Sequence, residues 1–275
     1  MPSPYDLVSL TDLKAWLDIT GTDDDDLLSR LITQISRAIM NVLARPSIIP
    51  GTYAETRDGG NEISLLLRHW PVNSISSCLV DGQIIPAAPA LVGGAAAQTG
   101  YLLDPSEAQP PGRMQRLSLR HGLFTAGIQN VTITYSAGYQ VAGEAARVPA
   151  TPPYTIVVGA PFGAWASDGF VTNGNGGPLS PVSLAPAAGQ YIASGGSYTF
   201  AAADAGTRVF LTYGYIPADL AACCMEWVAE RYAYRSRIGQ SSKSLGGQET
   251  MAFIVKSIPD FIAAALQPYR CVVAP

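Results

Sequence analysis

The sequence predicts an α+β fold: a small helical bundle with short antiparallel β strands, plus an inserted all-β domain of sandwich- or barrel-like form. Three observations predict it. Apolar residues recur at helical spacing near both ends of the chain, over Leu27–Leu43 and Leu220–Tyr232. From Ile48 to Tyr139 the pattern shortens to the alternation of strands, broken by Gly, Pro and Asn. A near-repeat, Val131-Thr132-Ile133-Thr134-Tyr135 and Val209-Phe210-Leu211-Thr212-Tyr213, brackets a stretch almost without charge. From Gln140 to Tyr215 only Glu144, Arg147, Asp168, Asp204 and Arg208 are charged. We read residues 1–139 and 216–275 as one discontinuous domain, interrupted by a β domain at 140–215.

The elements follow in order. Ser9 is placed as a helix N-cap, with Asp12 at the third helical position. Leu10, Leu13, Trp16 and Leu17 share one face of that first helix. Asp23 to Asp26 open the second helix, where carboxylates favour the positive end of the dipole. A calcium loop is the sharper reading of the four, but it needs alternating ligands and a central Gly that this run lacks. Leu27, Leu28, Leu31, Ile32, Ile35, Ile39, Met40 and Leu43 form a wide apolar stripe, opposed by Arg30, Gln34, Arg37 and Asn41, until Pro46 ends the helix. Tyr53–Arg57, Glu62–Arg68, Ser77–Val80, Leu117–Leu119 and Val131–Tyr135 read as strands. Asp58-Gly59-Gly60-Asn61 and Asp81-Gly82 read as hairpin turns, and Pro86 to Gly100 as a loop. In the inserted segment, Tyr154–Val158, Tyr191–Ala193, Ser197–Phe200 and Val209–Tyr213 read as strands between Gly-rich turns. Pro217 opens a third helix lined by Leu220, Cys223, Cys224, Trp227, Val228 and Tyr232. Gln240 to Gly247 reads as a flexible polar linker. Ile258-Pro259-Asp260 then starts a short helix through Leu266, stopped by Gln267-Pro268-Tyr269-Arg270.

Bulk composition excludes several functions. A chain of 275 residues, 48% hydrophobic, has ample material for a core, and 27 glycines and 21 prolines suit strands and turns. A net charge of −4 argues against a broad basic face that grips phosphates. No stretch approaches the ~20 apolar residues of a membrane span, and Met1-Pro2-Ser3-Pro4-Tyr5-Asp6 does not read as a signal peptide. Cys78, Cys223, Cys224 and Cys271 make no C-x-x-C pair and lie near neither His69 nor His121 in sequence, so they read as small buried hydrophobes in a reducing compartment.

No catalytic constellation stands out. There is no G-x-S-x-G elbow, and the Gly-rich runs lack the Lys of a phosphate loop. We expect no enzyme activity, no cofactor and no metal. In the inserted segment, Tyr154, Phe162, Trp165, Phe170, Tyr191 and Tyr198 fit either a sugar-binding platform or a core. The core is the simpler reading.

The outer halves carry a resemblance. Ser9-Leu10-Thr11-Asp12-Leu13-Lys14-Ala15-Trp16-Leu17-Asp18-Ile19, followed by Gly21-Thr22-Asp23-Asp24-Asp25-Asp26-Leu27-Leu28, is similar to the start of the head–tail connector (adaptor) proteins of tailed bacteriophages. Ile216-Pro217-Ala218-Asp219-Leu220 through Trp227, Glu230-Arg231-Tyr232 and Arg235 resembles their late helix. Ser241-Ser242-Lys243-Ser244-Leu245-Gly246-Gly247 and the closing Leu266-Gln267-Pro268-Tyr269-Arg270 are similar too. The resemblance implies a structural neck protein of the virion, assembled in the host cytoplasm. It implies a ring, usually twelve-fold, under the portal, which extends the DNA channel and carries the next neck or tail protein. DNA would pass through transiently and without specificity, and no membrane partner is implied. The segment at 140–215 departs from the usual adaptor and resembles a small β module of phage structural proteins. On this reading Phe253, Ile258, Phe261, Leu266, Tyr269 and Arg270 are expected to dock on a partner. Leu28, Leu31, Ile35, Trp227 and Tyr232 are expected in subunit packing. Two rival functions stay open: another neck or tail-completion protein, and a carbohydrate-binding module on a helical carrier.

Overall fold

A computed structural model describes residues 3, 5–90, 98–104, 115–235, 242–245, 249–252 and 258–271. Contacts group the chain into two units. One joins Met1–Pro46 to Ala218–Val272, and the other holds Ser47–Pro217.

The first unit is helical. In α1 (Leu10–Leu17) the Ser9 hydroxyl accepts the Asp12 amide at 3.1 Å and donates to the Asp12 carboxylate at 2.6 Å. The helix ends on Asp18 in the left-handed region, φ 55°. α2 (Asp25–Leu43) buries Leu28, Ile32, Ile35, Ser36, Ile39 and Leu43. Those spacings of three and four residues keep one face turned to the core. α3 (Ala218–Tyr234) buries Leu220, Cys223, Cys224, Trp227 and Val228, and packs on α2. α4 (Asp260–Leu266) buries Ile262 and Leu266, and a 3-10 turn, Gln267–Tyr269, buries Tyr269. Both α2 and α3 receive α4. The Cys271 amide donates to the Leu43 carbonyl at 2.8 Å, which ties the described end of the chain to the last turn of α2.

The expected flexible linker at 240–247 is corrected in part. Its residues Ser242–Leu245 form a strand, paired antiparallel with Glu249–Ala252. Polarity suggested a linker, but a ladder is made by main-chain groups, which every non-proline residue carries.

The second unit holds two pairs of sheets. In the first pair, β1 (Gly51–Gly59), β3 (Val72–Val80), β4 (Gln83–Ile84) and β7 (Gly127–Ala137) lie in the order β1-β7-β3-β4. Beside them β2 (Ser64–Leu66), β5 (Gly100–Leu103) and β6 (Arg116–Arg120) lie as β2-β6-β5. Val72, Cys78, Ile133 and Tyr135 from one sheet and Leu117 and Leu119 from the other share a core. Asp81-Gly82 makes the expected two-residue hairpin, with Val80 opposite Gln83 and both turn residues at positive φ. Asp58–Asn61 does not make the expected hairpin. β1 pairs with β7, from Gly51 opposite Ala137 to Gly59 opposite Gly127, and β2 pairs with β6. The turn hands the chain from one sheet to another. The expected loop at Pro86–Gly100 ends one residue early, because Gly100 already pairs with Arg120 in β5.

The second pair holds β8 (Gln140–Arg147), β10 (Gly163–Asn173) and β14 (Arg208–Pro217) in the order β10-β14-β8. It also holds β9 (Thr155–Val157), β11 (Ser180–Pro181), β12 (Gln190–Ser194) and β13 (Ser197–Phe200) in the order β11-β12-β13-β9. Val171, Leu211 and Tyr213 meet Ile156, Tyr191 and Tyr198 in a separate core. This is a sandwich in miniature, and among the described residues its strands pair only with one another. Where the chain enters and leaves it, the Tyr215 amide donates to the Tyr139 carbonyl at 3.1 Å, and the two rings meet edge to face at 5.8 Å. Gly138 permits the entry: its φ is +139°, and a Cβ there would lie 2.5 Å from Pro50.

Candidate interaction surfaces

Leu28, Ile35 and Trp227 are buried in the helical unit's own core, whereas Leu31 and Tyr232 are half-buried. Tyr232 earns its place through Asp24. That side chain does not cap α2, although it stands at the N-cap. Arg235 clamps it from two nitrogens, at 2.7 and 3.1 Å, and the Tyr232 hydroxyl donates to it as well. The guanidinium also sits 4.2 Å over the Tyr232 ring. Hydrogen bonds from Arg235 first and Tyr232 second hold the Asp24 carboxyl below its ordinary range. Asp25 pairs with Lys14 at 2.7 Å. Two of the four acidic residues at 23–26 are therefore occupied as helix-to-helix ties.

The expected docking residues divide. Phe253 lies outside the described residues. Ile258 is half-buried, and Phe261 and Arg270 are exposed. Leu266 and Tyr269 are corrected. Both are buried in their own bundle, where Arg45 Nε donates to the Tyr269 carbonyl at 2.7 Å and the Tyr269 hydroxyl donates to Asp219. Helical register explains the split. Ile262 and Leu266 are one turn apart and face inward, so Phe261 must face out.

The β unit carries acid–tyrosine contacts, one on a buried and one on a half-buried carboxylate. Glu55, buried on β1, accepts from the Tyr135 hydroxyl and from the Arg68 amide at 2.9 Å, with Arg57 at 3.3 Å. Burial, then Glu55, pushes the Tyr135 hydroxyl far above its ordinary range. Asp168 accepts from Tyr191 at 2.8 Å and Tyr198 at 3.0 Å, and Trp165 donates to the Tyr198 hydroxyl at 3.3 Å. Tyr191 and Tyr198 of the suggested sugar platform are thus core residues, and Trp165 is bonded to that core; Phe170 remains exposed. A cleft of about 680 Å³ lies beside them, lined by Pro50, Asn73, Ser136, Gln140, Asp168 and Phe170 among others. Burial raises the thiols of Cys78 and Cys223 to about 11 and of Cys224 to about 12, which keeps them protonated near neutrality. Among the described residues, no group of three or more His, Cys, Asp or Glu could hold a metal ion, and no helix is long and apolar enough to cross a membrane.

One surface was not anticipated. Three connections converge at one end of the first sheet pair: the turn after β1, the β3–β4 hairpin and the β6–β7 connection. They are tied together densely. Asn130 accepts the Gly59 amide at 2.9 Å and donates to Asp81 at 2.9 Å. Asn61 accepts the Ala126 amide at 2.9 Å, Asp58 accepts the Gln129 amide at 2.7 Å, and Thr125 donates to Asp81. Those bonds from Thr125 and Asn130 lower the Asp81 carboxyl below its ordinary range. From this framework project Ile128 (87% exposed), Ile84 (77%), Ile63 (64%) and Leu123 (45%). The turn dipeptides flanked by isoleucine were the available signal, but their convergence depends on pairings distant in sequence.

The chain is thus an α+β protein with a helical unit and a β unit. Residues 7–69, which span α1, α2, β1 and β2, match the family model of phage gp6-like head-tail connector proteins. The chain resembles head–tail connectors. No curated protein matches. A solved structure described as the neck of an empty GTA particle computed with C6 symmetry is similar at 13% identity over 100% of this chain and 95% of its own, with a TM-score of 0.42.

Proposed function

We propose that the protein is a structural component of the neck of a tailed phage or phage-like particle, and not an enzyme. The observation that carries this reading is the match of residues 7–69 to connector proteins. It covers Ser9–Ile19 and Gly21–Leu28, two of the segments that carry the resemblance in the sequence. Copies form a closed ring, with twelve-fold symmetry the expectation. The ring sits beneath the portal, continues its channel and receives the next neck or tail protein. A net charge of −4 suits a wall past which DNA slides, since a basic channel would bind phosphate. The ring is built in the host cytoplasm and resides in the virion. Residues 140–215 are an inserted module in a host domain of 1–139 and 216–275. Support for this comes from their separate sheets and core, and from the bond between Tyr139 and Tyr215. Phe261 and Arg270, exposed beside α4, remain for docking on a neighbour.

Negative-stain micrographs of the purified chain test the ring, and micrographs of virion necks with the chain labelled test its place. Closed rings of portal symmetry, and label confined to the neck, are expected. Label on the capsid shell or tail tip would sink the proposal.

A further inference from the structure

We propose that the ring closes through a head-to-tail contact in which the isoleucine tip of one copy seats on the outward face of α2 in the next. This rests on the ring reading above. The tip presents Ile84 on β4 and Ile128 at the start of β7, beside turns fixed by hydrogen bonds, so little freedom is lost when it docks. Its charge is of one sign. Residues 58–63, 81–85 and 122–130 contain Asp58, Glu62 and Asp81 and no Lys or Arg. Two tips facing each other would set like charges together, so the occupant is not a second tip. The complement exists elsewhere on the same chain. The acidic residues of α2, Asp25 and Asp26, are confined to its first turn, with Asp25 paired to Lys14, and beyond Asp26 its exposed positions include Leu27, Arg30, Gln34, Arg37 and Asn41. Neither Arg30 nor Arg37 makes an ion pair among the described residues. An apolar, acidic knob and a basic helix face on one chain make a heterologous pair, and heterologous contacts close into rings when the rotation permits.

Two double variants of the full chain test it: Ile84→Asp with Ile128→Asp at the tip, and Arg30→Glu with Arg37→Glu on the helix. All four positions are exposed, so both variants should melt with the wild type. Mass photometry at ~0.05 M and ~0.5 M salt reads assembly, and salt should weaken it in the wild type. Each variant alone should need at least about tenfold more protein to assemble. Mixed, they should form a 1:1 complex that grows no further, because each supplies the face the other lacks. A contact within one chain gives no such complex. Rings formed by either variant as readily as by the wild type, or mixtures without a 1:1 complex, would overturn the contact and leave the ring standing. A wild-type chain that never associates would overturn the ring itself.

Discussion

Leu28 and Leu31 stand one turn apart on α2, and the sequence put both on the apolar face. Leu28 is fully buried, whereas Leu31 is half-buried at the edge of the line through Leu28, Ile32, Ile35 and Ile39. The periodicity was legible, but the arc that neighbours cover was not, because it depends on where α3 and α4 lie. Leu28→Ala should therefore cost about 2–5 kcal/mol in urea unfolding, and Leu31→Ala about 1 kcal/mol. Equal losses would mean that the edge of the stripe is covered as fully as its centre. Asp24 gives a second prediction. Its carboxyl is lowered by Arg235 and Tyr232, so its contribution is present above the ordinary value of 3.8 and is lost as pH falls through the lower folded value. Asp24→Asn should lower the melting temperature at pH 7, and the gap from wild type should shrink toward pH ~3. A gap independent of pH would assign Asp24 no electrostatic role.

At the scale of elements, α4 decides whether the chain's end belongs to its own subunit. Ile262, Leu266 and Tyr269 are buried on the bundle, and burying a large apolar side chain is worth about 1.5–3 kcal/mol. Ending the chain after Gly247 should lower the melting temperature of the isolated protein by roughly 10 °C or more. An unchanged melt would make the segment a free arm. The sequence showed α4 because Pro259-Asp260 marks a start and Gln267-Pro268 a stop. It did not show β8 or β10. β8 is Gln-Val-Ala-Gly-Glu-Ala-Ala-Arg, poor in β-branched residues, with Gly143 at φ +66°. β10 breaks its alternation at two bulges, Trp165/Ser167 and Asp168/Phe170, so inward and outward positions never read as period two. The helical elements were legible from local spacing. The tip was not, because β1–β7 and β3–β7 pairing brings its loops together from far apart in the sequence.

For the whole molecule, the question is whether residues 140–215 fold as a module or as half of a larger β unit. The near-repeat of two Tyr-ending strands suggested an insertion, and the Tyr139–Tyr215 bond brings its ends together. The cores point the same way, since the cluster around Ile133 and Tyr135 and the cluster around Tyr191 and Tyr213 share no residue. Against this, Pro50 is held close to both Gly138 and Gly214, where an added Cβ would come within 2.5 Å of it. Contacts also group Ser47–Pro217 together. A seam this tight transmits strain, but two complete cores should each survive without the other. Residues 140–217 expressed alone should therefore give a dispersed amide spectrum and one cooperative melt. The chain with 140–215 removed, Tyr139 joined to Ile216, should keep its helical circular dichroism and stay soluble, because the join spans a gap already closed by one hydrogen bond. If the isolated segment is unfolded and the shortened chain aggregates, the sheets of 47–217 form a single cooperative unit and the insertion reading fails.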